Sequence, residues 1–194
     1  MARNKPARQR LRIIAGTWRG RRLRFPAGRN VRPTPDRVRE TLFNWLGARI
    51  EGARCLDLYA GSGLLGLEAL SRGAREAWFV ERDRRLASHL GEQLGMLAGN
   101  GRVFCEEVET FLLRPSGSPF DVVFLDPPYA TAVTTVIARL PALLAPDALV
   151  YVERAADDGL PESDALQWRK TGQAGSVCFG LAQIAVPPEQ PASG

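Results

Sequence analysis

The chain has 194 residues, 45% of them apolar and 24% charged, and a formal charge of +5. This is the composition of one globular domain with a real core, and it excludes a fibrous or intrinsically disordered chain. No apolar run approaches the ~20 residues of a membrane span, and the charged N-terminus does not read as a signal peptide, so a cytoplasmic protein is expected.

In chain order, residues 1–10 are a basic arm. Residues 11–15 and 21–25 are short strand-like runs around Gly16, Thr17, Trp18, Arg19 and Gly20, which predicts a small β-hairpin. After a loop over 26–35, Asp36 opens a helix with Val38, Leu42, Phe43, Trp45 and Leu46 on its apolar face and Gly47 near its end. From residue 53 strands and helices alternate. The strands are expected at 53–58, 76–81, 102–105, 120–125 and 148–152, and the helices at 64–71, 84–97, near 108–113, and at 131–144. Apolar strands alternating with amphipathic helices predict an α/β fold, a mostly parallel sheet with helices on both faces. Segments 166–171 and 176–186, joined by a glycine-containing turn without a helix, add an antiparallel hairpin at one edge. The reading gives a basic N-terminal extension (1–35), a main domain (36–186) and a Pro-rich disordered tail (187–194).

Charge is unevenly placed. Residues 1–39 hold 13 of the 26 basic residues and one acid, Asp36, so the head carries +12 and the rest of the chain −7. A basic head on an acidic body suggests a polyanionic partner, nucleic acid above all; a merely solubilising arm is the alternative. Cys55, Cys105 and Cys178 are scattered and lack C-x-x-C spacing, so neither a disulfide framework nor a zinc site is expected. His89 is the single histidine, on a polar helix face, with no nucleophile motif beside it.

Two motifs carry chemistry. Gly61, Gly63 and Gly66 make G-x-G-x-x-G between a strand and a helix, where glycine lets backbone approach a ligand and a helix N-terminus offers N–H groups. Glu81 closes the next strand, 20 residues after Gly61, where a carboxylate can accept both ribose hydroxyls. Together they indicate an adenosine-containing cofactor, either NAD or S-adenosylmethionine. Asp57 favours the second, because it would repel dinucleotide phosphates and attract a cationic methionine portion. The other motif is Asp126, Pro127, Pro128 and Tyr129, directly after the fourth strand and on the same rim. Asp126 and the Pro127 carbonyl can accept hydrogen bonds from an exocyclic amine and align its lone pair. The prolines stiffen the loop, and Tyr129 offers a stacking face.

With these residues the sequence resembles the Rossmann-like class I S-adenosylmethionine methyltransferases, and within them the bacterial 16S rRNA guanine-N2 methyltransferase family of the RsmD type. The resemblance spans residues 12–186 and rests on the stretches 12–20 and 32–44, the glycine turn running into Leu67-Glu68-Ala69-Leu70, and Asp126 to Tyr129. It implies a seven-stranded sheet and direct methyl transfer to guanine N2 in 16S rRNA of the small ribosomal subunit. A monomer is expected, without metal. By position it assigns Asp126, Pro127, Pro128 and Tyr129 to catalysis. Asp57, Tyr59, Gly61, Ser62, Gly63, Glu81, Arg82, Glu107, Thr34 and Arg37 go to the cofactor, Glu107 standing where the wider family has Asp or Asn. Arg12, Arg19, Arg21, Arg22, Arg24 and Arg32 go to RNA. The loop over 32–37 faces either the cofactor's methionine end or the RNA. Rival readings are an adenine-N6 or cytosine-N4 DNA methyltransferase, a protein glutamine methyltransferase, a non-catalytic RNA-binding assembly factor and, third, an NAD oxidoreductase.

Overall fold

The computed structural model describes residues 11–23, 34–114, 117–128 and 133–184. Its elements are β1 (Leu11–Arg12), β2 (Arg22–Leu23), α1 (Asp36–Leu46), β3 (Arg54–Leu58), α2 (Leu64–Ser71), β4 (Glu76–Val80), α3 (Arg84–Met96), β5 (Gly101–Phe104), α4 (Val108–Phe111), β6 (Phe120–Leu125), α5 (Val133–Ile137), β7 (Leu144–Ala155), β8 (Leu166–Ala174) and β9 (Val177–Ile184). The seven-stranded sheet runs β5-β4-β3-β6-β7-β9-β8. The first five of these are parallel, and β9 and β8 close the edge antiparallel. The strand order steps outward from β3 in both directions, which opens a crevice at the carboxyl ends of β3 and β6.

Alternation along each central strand sends side chains to two apolar layers. Leu42 and Phe43 of α1, Leu67 of α2 and Leu90 of α3 pack with Cys55, Phe79, Phe124 and Tyr151 on one face. Val108, Phe111, Val136 and Ile137 pack with Leu56, Val80, Val123 and Val150 on the other. Among the described residues no helix is long and apolar enough to cross a membrane.

The expected helix over 131–144 is broken. α5 has five residues and is followed by a 3-10 turn over Leu140–Leu143. Pro141 lacks the N–H that a continuing α-helix would use. β7 starts at Leu144, four residues earlier than expected, because Leu144 pairs with Phe120 before the register shifts toward Val122.

The N-terminal hairpin is real but short, with Leu11 opposite Leu23. Leu11, Ile13 and Leu23 belong to the same apolar cluster as α1 and α2. Between the strands, residues 13–18 clamp the last turns of α2. Thr17 N–H donates to the Ser71 carbonyl at 2.7 Å, and Ile14 and Ala15 N–H donate to the Glu68 carboxylate at 2.8 and 3.0 Å. Gly16 is required there: its φ is +80°, and a Cβ would lie 1.7 Å from the Ser71 carbonyl oxygen. The opposite end of the chain, the expected disordered tail, lies outside the described residues.

Candidate functional site

The loops leaving the carboxyl ends of β3, β4, β5, β6 and β7 enclose a cavity of about 830 Å³. Its volume is that of a site for a cofactor-sized molecule. Asp57, Tyr59, Gly61, Ser62, Glu81, Arg82, Glu107, Asp126, Pro127 and Pro128 all line it. Residues far apart in sequence thus meet at one rim because parallel strands align their carboxyl ends.

Glu81 is fixed before any ligand arrives. Its two oxygens accept the N–H groups of Gly61 and Asp83, each at 2.7 Å. A carboxylate has acceptor capacity beyond two bonds, so both oxygens can still take hydroxyl donors. Tyr59 turns the chain between β3 and the glycine segment with a φ of 59°, a left-handed conformation costly for a non-glycine residue. Its half-buried phenol is pushed up from its ordinary range by burial and by the carboxylate of Glu109.

The glycines have partly different tasks from those expected. Gly61 lines the cavity, but Gly63 does not. A Cβ on Gly63 would stand 2.2 Å from Leu90 Cδ1, and one on Gly66 2.3 Å from Phe79 Cε1. These two glycines let α2 seat against α3 and β4. Asp57 also has a structural task that its sequence assignment did not include. Its Oδ2 accepts the Gly66 N–H at 2.9 Å, satisfying a free donor in the first turn of α2.

Charge decides which cofactor fits. Burial pushes the Asp57 carboxyl up to about 8; the Gly66 N–H opposes the shift and Glu81 adds to it. Asp126 is raised well above its ordinary value by burial, then by Glu153 and Asp57. Glu153 is raised by burial, against hydrogen bonds from Tyr151 and Thr34. The two arginines lining the cavity are engaged with acids: Arg82 with Glu107 at 3.6 Å and Arg154 with Asp158 at 3.0 Å. With both of these arginines engaged by acids, the cavity offers a pyrophosphate no free cation among the described residues, while carboxyl groups of raised proton affinity ionise readily beside a ligand that brings a positive charge. The residues present therefore fit S-adenosylmethionine and fit NAD poorly.

Not every assigned residue reaches the cavity. Thr34 is buried, and its hydroxyl donates to Glu153 from the side of α1. Arg37 is exposed on the first turn of α1 and does not line the cavity. Tyr129, Arg24 and Arg32 lie outside the described residues. Arg12, Arg19, Arg21 and Arg22 are exposed. Arg12 is engaged with Asp36 at 3.2 Å, whereas Arg19, Arg21 and Arg22 form no ion pair among the described residues.

Sequence reasoning missed Glu153 and Tyr151, and it counted Arg39 with the basic head. Arg39 is fully buried and belongs to the fold. The signal for Glu153 was available: it directly follows the strand expected at 148–152, so the rim rule that found Asp126 also points to it.

The conserved hypothetical protein 95 family matches residues 11–183. Ribosomal RNA small subunit methyltransferase D of Escherichia coli strain K12 is 45% identical over 179 residues, covering 89% of each chain. A solved structure of the Escherichia coli protein yhhF superposes with a TM-score of 0.82 at 44% identity, covering 91% of this chain and 98% of that one. At 20% identity, the 16S rRNA N2 methyltransferase RsmC of Thermus thermophilus, solved with AdoMet and guanosine, shares the fold with a TM-score of 0.66. That match covers 92% of this chain and 50% of the RsmC chain.

Proposed function

We propose that this chain, which belongs to the conserved hypothetical protein 95 family of ribosomal RNA small subunit methyltransferase D proteins, methylates the exocyclic N2 amine of one guanine in 16S rRNA, as a cytoplasmic monomer using S-adenosylmethionine. One observation carries the reading. A single cavity joins a ribose-type carboxylate, Glu81, to an amine-accepting loop, Asp126 to Pro128, and its acids favour a cationic cofactor over a dinucleotide.

The chemistry follows from those residues. S-adenosylmethionine supplies a methyl group already activated by its sulfonium charge. The protein's task is then positioning, desolvation and proton handling. A guanine amine is a weak nucleophile because its lone pair is delocalised into the ring. Asp126 and the Pro127 carbonyl accept its two N–H bonds and turn the lone pair toward the cofactor half of the cavity. As the new N–C bond forms, the nitrogen sheds a proton, and a carboxyl made more basic by burial, as Asp126 is, is suited to accept it. The base must leave any stack to reach this depth. Arg19, Arg21 and Arg22 hold the RNA by its phosphates.

The test is transfer of labelled methyl from S-adenosylmethionine to unmodified small ribosomal subunits, followed by nucleoside analysis. Label in N2-methylguanosine is the expected result. Label in adenosine, cytosine, DNA or protein overturns the guanine assignment, and no label at all favours the assembly-factor reading.

A further inference from the structure

The cavity continues past Asp126, and sheet register dictates what comes next. β6 and β7 are paired in parallel with Phe124 opposite Tyr151 and Leu125 opposite Val152. One step beyond the last of these pairs, Asp126 is the first residue after β6 and Glu153 is still in β7, and the two are close enough at the rim for Glu153 to act on the Asp126 carboxyl. Side chains alternate, so both lie on the face of the sheet occupied by Phe124 and Tyr151. Both line the cavity. Glu81 and Glu107 follow β4 and β5, on the other side of β3 from β6. With the cofactor's adenosine toward Glu81 and the target amine at Asp126, the β7 side is the part of the cavity left, among the described residues, for the rest of the base.

Glu153 is built to be held still and to keep accepting. The Tyr151 hydroxyl donates to its Oε2 at 2.8 Å, and the Thr34 hydroxyl donates to the same carboxylate. Tyr151 and Thr34 are themselves buried, and Glu153 is only 6% exposed. Among the described residues no cation pairs with it. Burying a carboxylate on two hydroxyls alone is expensive, and two donors leave acceptor capacity unused.

The amine-bearing bases differ at the atom beside the amine. In guanine two ring nitrogens flank the N2 amine: N3 is a bare acceptor, and N1 carries a hydrogen and donates. In adenine and cytosine the ring nitrogen next to the amine is a bare acceptor. An acceptor held beside the amine on the N1 side therefore attracts guanine, whereas adenine and cytosine have no donor on either flank of the amine.

Resting on the methyltransferase reading above, we propose that Glu153 is the specificity residue of this site, accepting the guanine N1–H while Asp126 and Pro127 hold the adjacent N2 amine. The test uses 16S rRNA assembled into small subunits with the methylated guanine replaced by 2-aminopurine, which keeps the amine and has a bare N1. Wild-type protein should use the analogue with a kcat/KM at least about tenfold below that of guanine, the expected loss when a charged acceptor faces an acceptor. Glu153→Gln can donate to a bare N1 and still accept from Tyr151. It should therefore lower kcat/KM on guanine and raise it relatively on 2-aminopurine, shrinking the ratio by about tenfold or more, with S-adenosylmethionine affinity unchanged. An equal loss on both bases would mean that Glu153 only supports the fold, and overturns the proposal. So does a wild-type protein indifferent to the analogue, a measurement that needs no variant. Failure of the wild type on guanine itself would instead overturn the methyltransferase reading.

Discussion

Arg39 and Glu68 form an ion pair, Nη1 to Oε2 at 3.3 Å, with neither side chain exposed at all. Arg39 also donates to Asp36 and to the Arg12 carbonyl, while Glu68 accepts from Arg72 and from the Ile14 and Ala15 N–H groups. The pair ties α1, α2 and the N-terminal strand into one unit.

Removing Arg39 takes away a fully buried cation from Glu68, leaving the partly buried Arg72 as its ion-pair partner, and unties α1 from α2. Arg39→Ala is expected to destabilise the protein by about 3–5 kcal/mol, seen as a lower urea midpoint. Glu68→Gln should also loosen residues 11–18, seen as faster hydrogen exchange at Ile14 and Ala15. Unchanged exchange there would mean that the hairpin holds without Glu68.

In the proposed reading Asp126 holds the target amine and Glu81 the ribose. Asp126→Ala should therefore abolish methyl transfer while S-adenosylmethionine affinity, measured calorimetrically, stays within a few-fold of wild type. Loss of cofactor binding would place the loop in the wrong half of the site.

Asp57 gives the fold a pH dependence of known sign. Its carboxyl is raised from about 3.8 to about 8. The folded state thus favours the protonated form, and this contribution is complete below about pH 3.8 and lost as pH rises through about 8. Asp57→Asn can still accept the Gly66 N–H but does not titrate. Between about pH 5 and 8.5 the wild type should lose urea stability more steeply than this variant. Asp126 and Glu153 are raised too, so the variant's slope becomes shallower but does not vanish.

Replacing Arg19, Arg21 and Arg22 together by alanine should weaken RNA binding without altering cofactor affinity. The dependence of log K on log salt should become shallower by about 0.7–0.9 for each phosphate no longer neutralised. An unchanged slope would mean that the hairpin does not touch phosphate.

The sequence by itself determined the alternation of strands and helices, the glycine turn, Glu81, and the Asp126 loop. These are local: apolar periodicity reports burial, and a motif between a strand and a helix reports a rim position. It did not separate surface arginines from buried ones. Arg39 and Arg19 look alike in a charge count, and only packing against Glu68 puts one inside and leaves the other in water. Nor could spacing show that Asp57 caps α2, or that Gly63 and Gly66 serve Leu90 and Phe79, because those partners come from other elements. The early break of the helix after Ile137 was written in Pro141, yet the start of β7 depended on its pairing with Phe120. Glu153 is the sharpest case. Its chemistry comes from being one register step beside Asp126 on the neighbouring strand, a proximity between residues 27 positions apart that sheet order creates and sequence distance hides.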